Sequence, residues 1–259
     1  MSNRQSSIVN RKFLATLFLV ALAGCRPAKA PNPAAPAVAP QDPIVSLTFD
    51  DGNADNIPMG ELLQQNGLHA TFYIPSGLAG TQGFMTWDQI KSLQDAGNEI
   101  GGHTLHHKNL RGLDIATLRH EICDDRSSLE SHGFNPVSFA YPFGAYDPNV
   151  KRVVKECGYA GARTVKDGPE QFPIPDVYAV RAFPYVVNDT NLSKLQRYIS
   201  GTRQEGGGWV VLVFHHVCDG CDYFAVSPGV MDRFIPWLAQ QQAMGHLQVK
   251  TFGEALQER

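Results

Sequence analysis

Two adjacent carboxylates, Asp50 and Asp51, and two imidazoles four residues apart, His103 and His107, are the residues of this sequence best placed to do chemistry. A His pair at i and i+4 can present two ring nitrogens on one side of a helical turn. A third ligand such as Asp51 would then leave a tetrahedral ion with one open position. Two His plus one carboxylate is a catalytic ligand set, and an ion so held lowers the pKa of a water from about 15.7 toward about 7. His106 competes with His107 by composition, at the looser i and i+3 spacing. Taken singly, an Asp pair is more often a turn cap and a His cluster a solvated loop. What strengthens both groups is position: each directly follows a short strand-like run, Ile44 to Phe49 for the first and Asn98 to Ile100 for the second.

In α/β folds the carboxyl ends of parallel strands carry the chemistry, so the elements around these residues decide whether they can meet. From Pro43 onward one rhythm repeats: a helical pattern, a glycine stop, then a short β-rich run. The stops are Gly67, Gly97, Gly133, Gly158 and Gly245, which lead into Ala70–Ile74, Asn98–Ile100, Val137–Ala140, Ala160–Val165 and Leu247–Val249. Glycine after a helix supplies its left-handed C-terminal cap. Helix starts are marked by a Thr86/Gln89 capping box and by Asp147-Pro148 and Ser227-Pro228, each a cap residue followed by proline. The continuous apolar run Trp209–Phe214 suits a parallel strand covered on both faces. About seven β/α units fit the length, which predicts a single distorted (β/α)-type barrel, with a doubly wound open sheet as the alternative.

The 259 residues suffice for one substantial core. The first 24 residues read as a leader: Arg4, Arg11 and Lys12 precede an apolar core from Phe13 to Leu22, too short for a membrane span. The leader ends Leu22-Ala23-Gly24-Cys25, similar to the bacterial lipobox, so Cys25 is expected to be the lipidated first residue of the mature chain. Residues 25–42 are then that Cys and a Pro/Ala-rich linker, unable to bury enough apolar surface to fold. At about 3.1 Å per residue the linker reaches up to roughly 50 Å. The folded domain is expected over residues 43–259. Losing the leader takes the basic count from 22 to 19 against 25 acidic residues and the net charge from −3 to −6. That balance, with no Lys/Arg run, argues against nucleic acid or an anionic membrane surface as partner. Four cysteines remain in an exported chain. Cys218 and Cys221, three apart, are expected to staple a loop, and Cys123 and Cys157 either pair or stay as thiols.

The motifs resemble those of the polysaccharide deacetylases of the NodB-homology type, carbohydrate esterase family 4. Thr48-Phe49-Asp50-Asp51-Gly52 is similar to the first family motif, His103-Thr104-Leu105-His106-His107 to the second, Phe139-Ala140-Tyr141-Pro142-Phe143-Gly144 to the third, and Leu212-Val213-Phe214-His215 to the fifth. The resemblance implies that Asp50 is the catalytic base and that Asp51, His103 and His107 are the metal ligands. It implies that the Phe143 backbone N–H binds the oxyanion and that His215 is the general acid, with Tyr141, Pro142 and Phe143 lining the substrate site. Zinc is expected by ligand type, with Co2+ or Ni2+ as alternatives. Where the family's third motif carries an arginine that orients the base, this chain has Ala140. Arg163 or Arg181, each on or after a neighbouring strand, would have to supply that guanidinium, and Arg181 is favoured. No residue clearly matches the acid of the fourth motif, Asp189 being one candidate.

A metal-dependent hydrolase removing N-acetyl groups from an N-acetylglucosamine-containing polysaccharide is therefore expected, as a monomer held in the bacterial cell envelope by its lipid. The alternatives are an O-acetyl esterase on xylan or another acetylated glycan, and an inactive glycan-binding lipoprotein suggested by Ala140. Strand alternation also forbids His215 and His216 from facing the same site, but every residue from Val210 to Phe214 is apolar, so periodicity leaves the choice open.

Overall fold

A computed structural model of the chain describes residues 42–183 and 185–258. The expected leader and most of the expected linker, Cys25 included, lie outside them. Strands β1 (Ile44–Phe49), β2 (Thr71–Ile74), β3 (Glu99–Gly102), β4 (Ser138–Ala140), β5 (Gly161–Arg163) and β6 (Trp209–Phe214) form one parallel sheet in the order β5-β4-β3-β2-β1-β6. Between them run α1 (Ile57–Gln65), α2 (Trp87–Asp95), α3 (Ile115–Ser131), α4 (Pro148–Glu156) and α5 (Leu192–Gln204). After β6 come the short pair β7 (His216–Val217) and β8 (Ala225–Val226), then α6 (Pro228–Ala243), β9 (Gln248–Val249) on β1, and α7 (Phe252–Ala255). The curled parallel sheet is the (β/α)-type barrel of the sequence reading. Its seam, between β5 and β6, is bridged by residues of the connection that follows β5. Val180 bridges Arg163, while the Phe183 and Val186 N–H groups donate to the Val211 and Val213 carbonyls at 2.9 and 3.0 Å.

All five glycine stops take positive φ, from 63° at Gly67 to 96° at Gly158. Thr86 and Gln89 make the reciprocal capping box and Asp147 accepts two N–H groups, whereas the Ser227 hydroxyl makes no cap hydrogen bond. Thr251 and Glu254 form a second box that starts α7. The structure pairs Cys123, within α3, with Cys157, at the end of α4, and Cys218 with Cys221, Cα atoms 5.0 and 5.9 Å apart, inside the range a bridge requires.

Strand alternation then sorts the side chains. Val45, Leu47, Phe49, Val210, Leu212 and Phe214 face outward into a core shared with α1, α2, α5 and α6. Ile44, Tyr73, Ala140, Trp209, Val211 and Val213 face inward, where Phe252 of α7 plugs the amino-terminal end. Half-buried Glu99 ties that plug to the strands. Its carboxylate accepts hydrogen bonds from the Gly253 N–H at 2.7 Å and the Thr71 and Ser138 hydroxyls at 3.0 and 2.6 Å. With the other end sealed, the open mouth lies at the carboxyl ends of the strands.

Candidate active site

The inward register that places Ile44, Ser46 and Thr48 inside the barrel carries on to Asp50. On β3 it reaches His103, on β4 Ala140, on β5 Arg163, and on β6 His215. These side chains therefore converge at one end of the barrel because each continues the inward face of its own strand. Asp50, His103 and His215 border a pocket of about 210 Å³ whose lining also includes Asp51, His107, Tyr141, Phe143, Val165, Tyr185 and Phe224. Among the described residues four non-glycines have positive φ: Asp51 (70°), Thr104 (69°), His107 (53°) and Phe143 (59°). A left-handed backbone costs an ordinary residue about 1–2 kcal/mol, and here that strain is confined to the mouth of the pocket. It also corrects one expectation. His103 and His107 are not on a helical turn; they flank an irregular loop whose reversals at Thr104 and His107 bring the two rings to 4.9 Å.

Asp51 Oδ1 lies 3.3 Å from His103 Nε2 and 3.2 Å from His107 Nε2, yet it is buried without a hydrogen-bond partner. The His103 Nδ1–H donates to the Ala140 carbonyl at 2.7 Å, which leaves Nε2 with its lone pair turned toward an acceptor. Either a proton on Nε2 or a cation resolves that contact, and one cation serves both imidazoles at once. Ligands at about 2.0–2.1 Å from a tetrahedral ion sit about 3.3 Å from one another, so the spacing fits a divalent metal as it stands. Burial would raise the Asp51 pKa, but the imidazoles of His103, His215 and His107 override it and hold the carboxyl well below the usual range. The His106 ring turns away to Glu121, Nδ1 to Oε1 3.1 Å, and takes no place among these atoms. Behind His103, buried Asp125 accepts its backbone N–H at 3.1 Å and that of Ser76 at 3.0 Å. Burial pushes this carboxyl up to about 6.

Asp50 binds Arg163 through Oδ1 and turns Oδ2 into the pocket, 4.0 Å from His103 Nε2 and 3.9 Å from His215 Nε2. Arg181, favoured from the sequence, is not there. Its guanidinium donates to the Asp167 carbonyl and its backbone N–H to Glu170. The reason is register: Ala140 and Arg163 are direct partners across β4 and β5, so an arginine at 163 enters the barrel at the level where the third motif would place one at 140. Arg163 is fully buried and lies over the Tyr73 ring at 5.0 Å. Removing one partner of a buried ion pair strands the other charge, so Arg163→Leu is expected to lose about 3–5 kcal/mol of stability in chemical denaturation. Ala140→Arg in the Arg163→Leu background should recover part of that loss.

His215 packs against the rings of Tyr185 and Phe224, at 5.2 and 5.4 Å. Its Nδ1 is buried and unpartnered, and burial lowers its pKa. Asp189 does not serve it, being exposed and 3.5 Å from Lys194. His216 points the other way, to Asp55 at 2.7 Å. Asn53 and Asn56, after β1, donate to the His215 carbonyl at 3.1 and 2.8 Å and fix the end of β6. In the third motif Tyr141 and Phe143 line the pocket, but Pro142 is buried beneath it and sets the turn. Gly144, at φ 63°, has no room for a Cβ, which would fall 2.3 Å from Val165. Tyr185, Phe224, Asp55 and the two asparagines were not visible in the sequence, since none sits in a motif.

A parallel (β/α) barrel with a three-imidazole, two-carboxylate cluster at its carboxyl mouth defines the class of protein. Residues 37–162 match the family model described as polysaccharide deacetylase. It is 33% identical over 118 residues to an uncharacterised protein of Streptomyces coelicolor, covering 45% of this chain and 46% of the other. It is 28% identical over 118 residues to a peptidoglycan-N-acetylglucosamine deacetylase of Bacillus cereus, covering 45% and 54%. The chain thus spans about half the length of these relatives. A family 4 carbohydrate esterase of Streptomyces lividans, solved in complex with acetate, shares the fold with a TM-score of 0.56 at 21% identity, covering 80% of this chain and 91% of that one.

Proposed function

We propose that the chain is a metal-dependent deacetylase that removes N-acetyl groups from an N-acetylglucosamine-containing polysaccharide of the cell envelope. The observation that carries this reading is the convergence of Asp51, His103 and His107 on one point, with Asp50 and His215 facing the same pocket. Asp51 Oδ1, His103 Nε2 and His107 Nε2 would hold the ion, zinc by ligand type, which when bound activates a water and polarises the acyl oxygen. Asp50, aimed by Arg163, takes a proton from the attacking water through Oδ2. The Phe143 N–H, fixed by the left-handed turn at the pocket edge, binds the developing oxyanion. A preorganised donor of that kind is worth about 3 kcal/mol. An amine leaves only when protonated, and His215 Nε2, across Asp50, is placed to deliver that proton. Support from outside the chain comes from the family match and from the B. cereus relative, whose name gives peptidoglycan N-acetylglucosamine as its substrate. Lipidation of Cys25 would place the domain at a membrane, and the linker would let it reach polymer up to roughly 50 Å away.

Acetate release by the zinc-loaded protein from chitin oligomers, peptidoglycan, β-1,6-linked poly-N-acetylglucosamine and acetylated xylan tests the proposal. Release from one or more of the N-acetylated polymers, abolished by a chelator and restored by Zn2+, is the expected result. Release from xylan alone would make the chain an O-acetyl esterase, and no release from any polymer would leave a binding protein.

A further inference from the structure

Four large hydrophobic side chains are conspicuously exposed among the described residues: Phe143 (59%), Tyr223 (61%), Phe224 (37%) and Met244 (48%). The first three gather at one place. Phe143 and Phe224 line the pocket, and the Tyr223 ring meets Phe224 edge-on at 5.0 Å, outside the lining. The pocket, at about 210 Å³, is smaller than the roughly 300–1,000 Å³ of ordinary small-molecule sites. It takes the reacting group and part of one sugar, so the neighbouring sugars of a polymer must lie over its rim. Exposed aromatics continuous with a binding pocket mark surface that a ligand covers.

The segment that carries the two rings is held in place before any ligand arrives. The Asn188 N–H donates to the Tyr223 carbonyl at 2.9 Å, the Phe224 N–H to Asp222 Oδ1 at 2.7 Å, and the Cys218 N–H to the Val226 carbonyl at 3.0 Å. The Cys218–Cys221 bridge closes the turn between β7 and β8. The rings are therefore preorganised, which spares the ordering cost that a floppy aromatic would incur on binding. From His215 to Phe224 there is no Lys or Arg, while Asp219 and Asp222 are exposed beside the rings. That charge favours a neutral sugar over an anionic one.

We propose that Tyr223, with Phe224, is a stacking platform for a neutral pyranose adjacent to the reacting sugar, and that it makes the protein selective for polymer over short fragments. The assignment rests on the glycan-deacetylase reading. It is tested by measuring kcat and KM for acetate release from the dimer and the pentamer of β-1,4-linked N-acetylglucosamine, with the zinc-loaded full chain and its Tyr223→Ala and Tyr223→Phe variants. Stacking contributes equally to ground and transition states, so its loss appears in KM and not in kcat. Tyr223→Ala should raise the pentamer KM about tenfold, equivalent to about 1.4 kcal/mol, raise the dimer KM much less, and leave Tyr223→Phe close to wild type. A pentamer KM unchanged by Tyr223→Ala, or an equal rise on both lengths, overturns the platform and leaves the deacetylase reading intact. If no acetate is released at all, calorimetry with a β-1,4-linked glucose pentamer, which has no acetyl group to lose, decides the platform by itself. Binding weakened about tenfold by Tyr223→Ala keeps it, and binding that is absent or insensitive to the variant overturns it.

Discussion

His103→Ala protein is expected to come off purification without its divalent metal and to release no acetate above background. His103 gives Nε2 to the cluster while Nδ1–H holds the Ala140 carbonyl, so truncation removes a proposed ligand and the bond that fixes the cluster against β4. His107→Ala should lose the metal too, since its Nε2 is the other imidazole within 3.2 Å of Asp51 Oδ1. His106→Ala is the control, because its ring is turned to Glu121 and away from the pocket. Metal content of the three variants, with thermal melts to confirm folding, decides the assignment. A metal-free His106→Ala, or a metal-replete His103→Ala, would show that the three ligands are wrongly chosen.

The second large effect is expected at His215. His215→Ala should keep its metal and its fold yet lose about 10²–10⁴-fold in kcat on an N-acetylated sugar, the usual range for a general acid. The same variant should lose much less on an activated acetyl ester, whose leaving group departs without a proton. His216→Ala should lose little on either substrate. Its ring pairs with Asp55 on the opposite face of the strand end, while His215 Nε2 stands 3.9 Å from Asp50 Oδ2 inside the pocket. Measuring both variants on both substrates separates proton donation from positioning. Equal losses on amide and ester would remove His215 from the role of acid.

The unpartnered Nδ1 of His215 bears on how such an acid is tuned. In an arrangement with a carboxylate behind the ring, the protonated form is stabilised. Here burial is the largest influence and it favours the neutral ring, with Asp50 and Asp51 pulling the other way. The charge that helps His215 take up a proton thus comes from the pocket side, from the same carboxylates proposed to serve the water and the metal.

How the chain divides between sequence and structure is clearest strand by strand. The five glycine stops, the Thr86/Gln89 box and the apolar run of β6 are local signals, because left-handed caps, reciprocal hydrogen bonds and two-sided burial each demand particular residue types at the position itself. Asp50, Asp51, His103, His107 and His215 were likewise legible, as motif residues at the ends of short strands. The arginine was not. Whether Arg163 or Arg181 reaches Asp50 depends on which strand pairs with β4 and in what register, and only the Ala140–Arg163 pairing settles it. The choice between His215 and His216 was open for a related reason: a strand apolar on both faces has no pattern to say which face is inward. The barrel supplies that answer by seating Val211 and Val213 on its interior and carrying their alternation one step further to His215. How the residues after β5 close the seam was not legible, because they complete the barrel through isolated bridges and single N–H donations rather than through a ladder. What the sequence by itself determined was which residues could carry the chemistry and roughly where the strands fall, β3 running on to Gly102 and β5 stopping at Arg163 rather than at the expected Ile100 and Val165. Which side chains share the pocket was decided by strand register and closure, which are set by contacts between residues far apart in the chain.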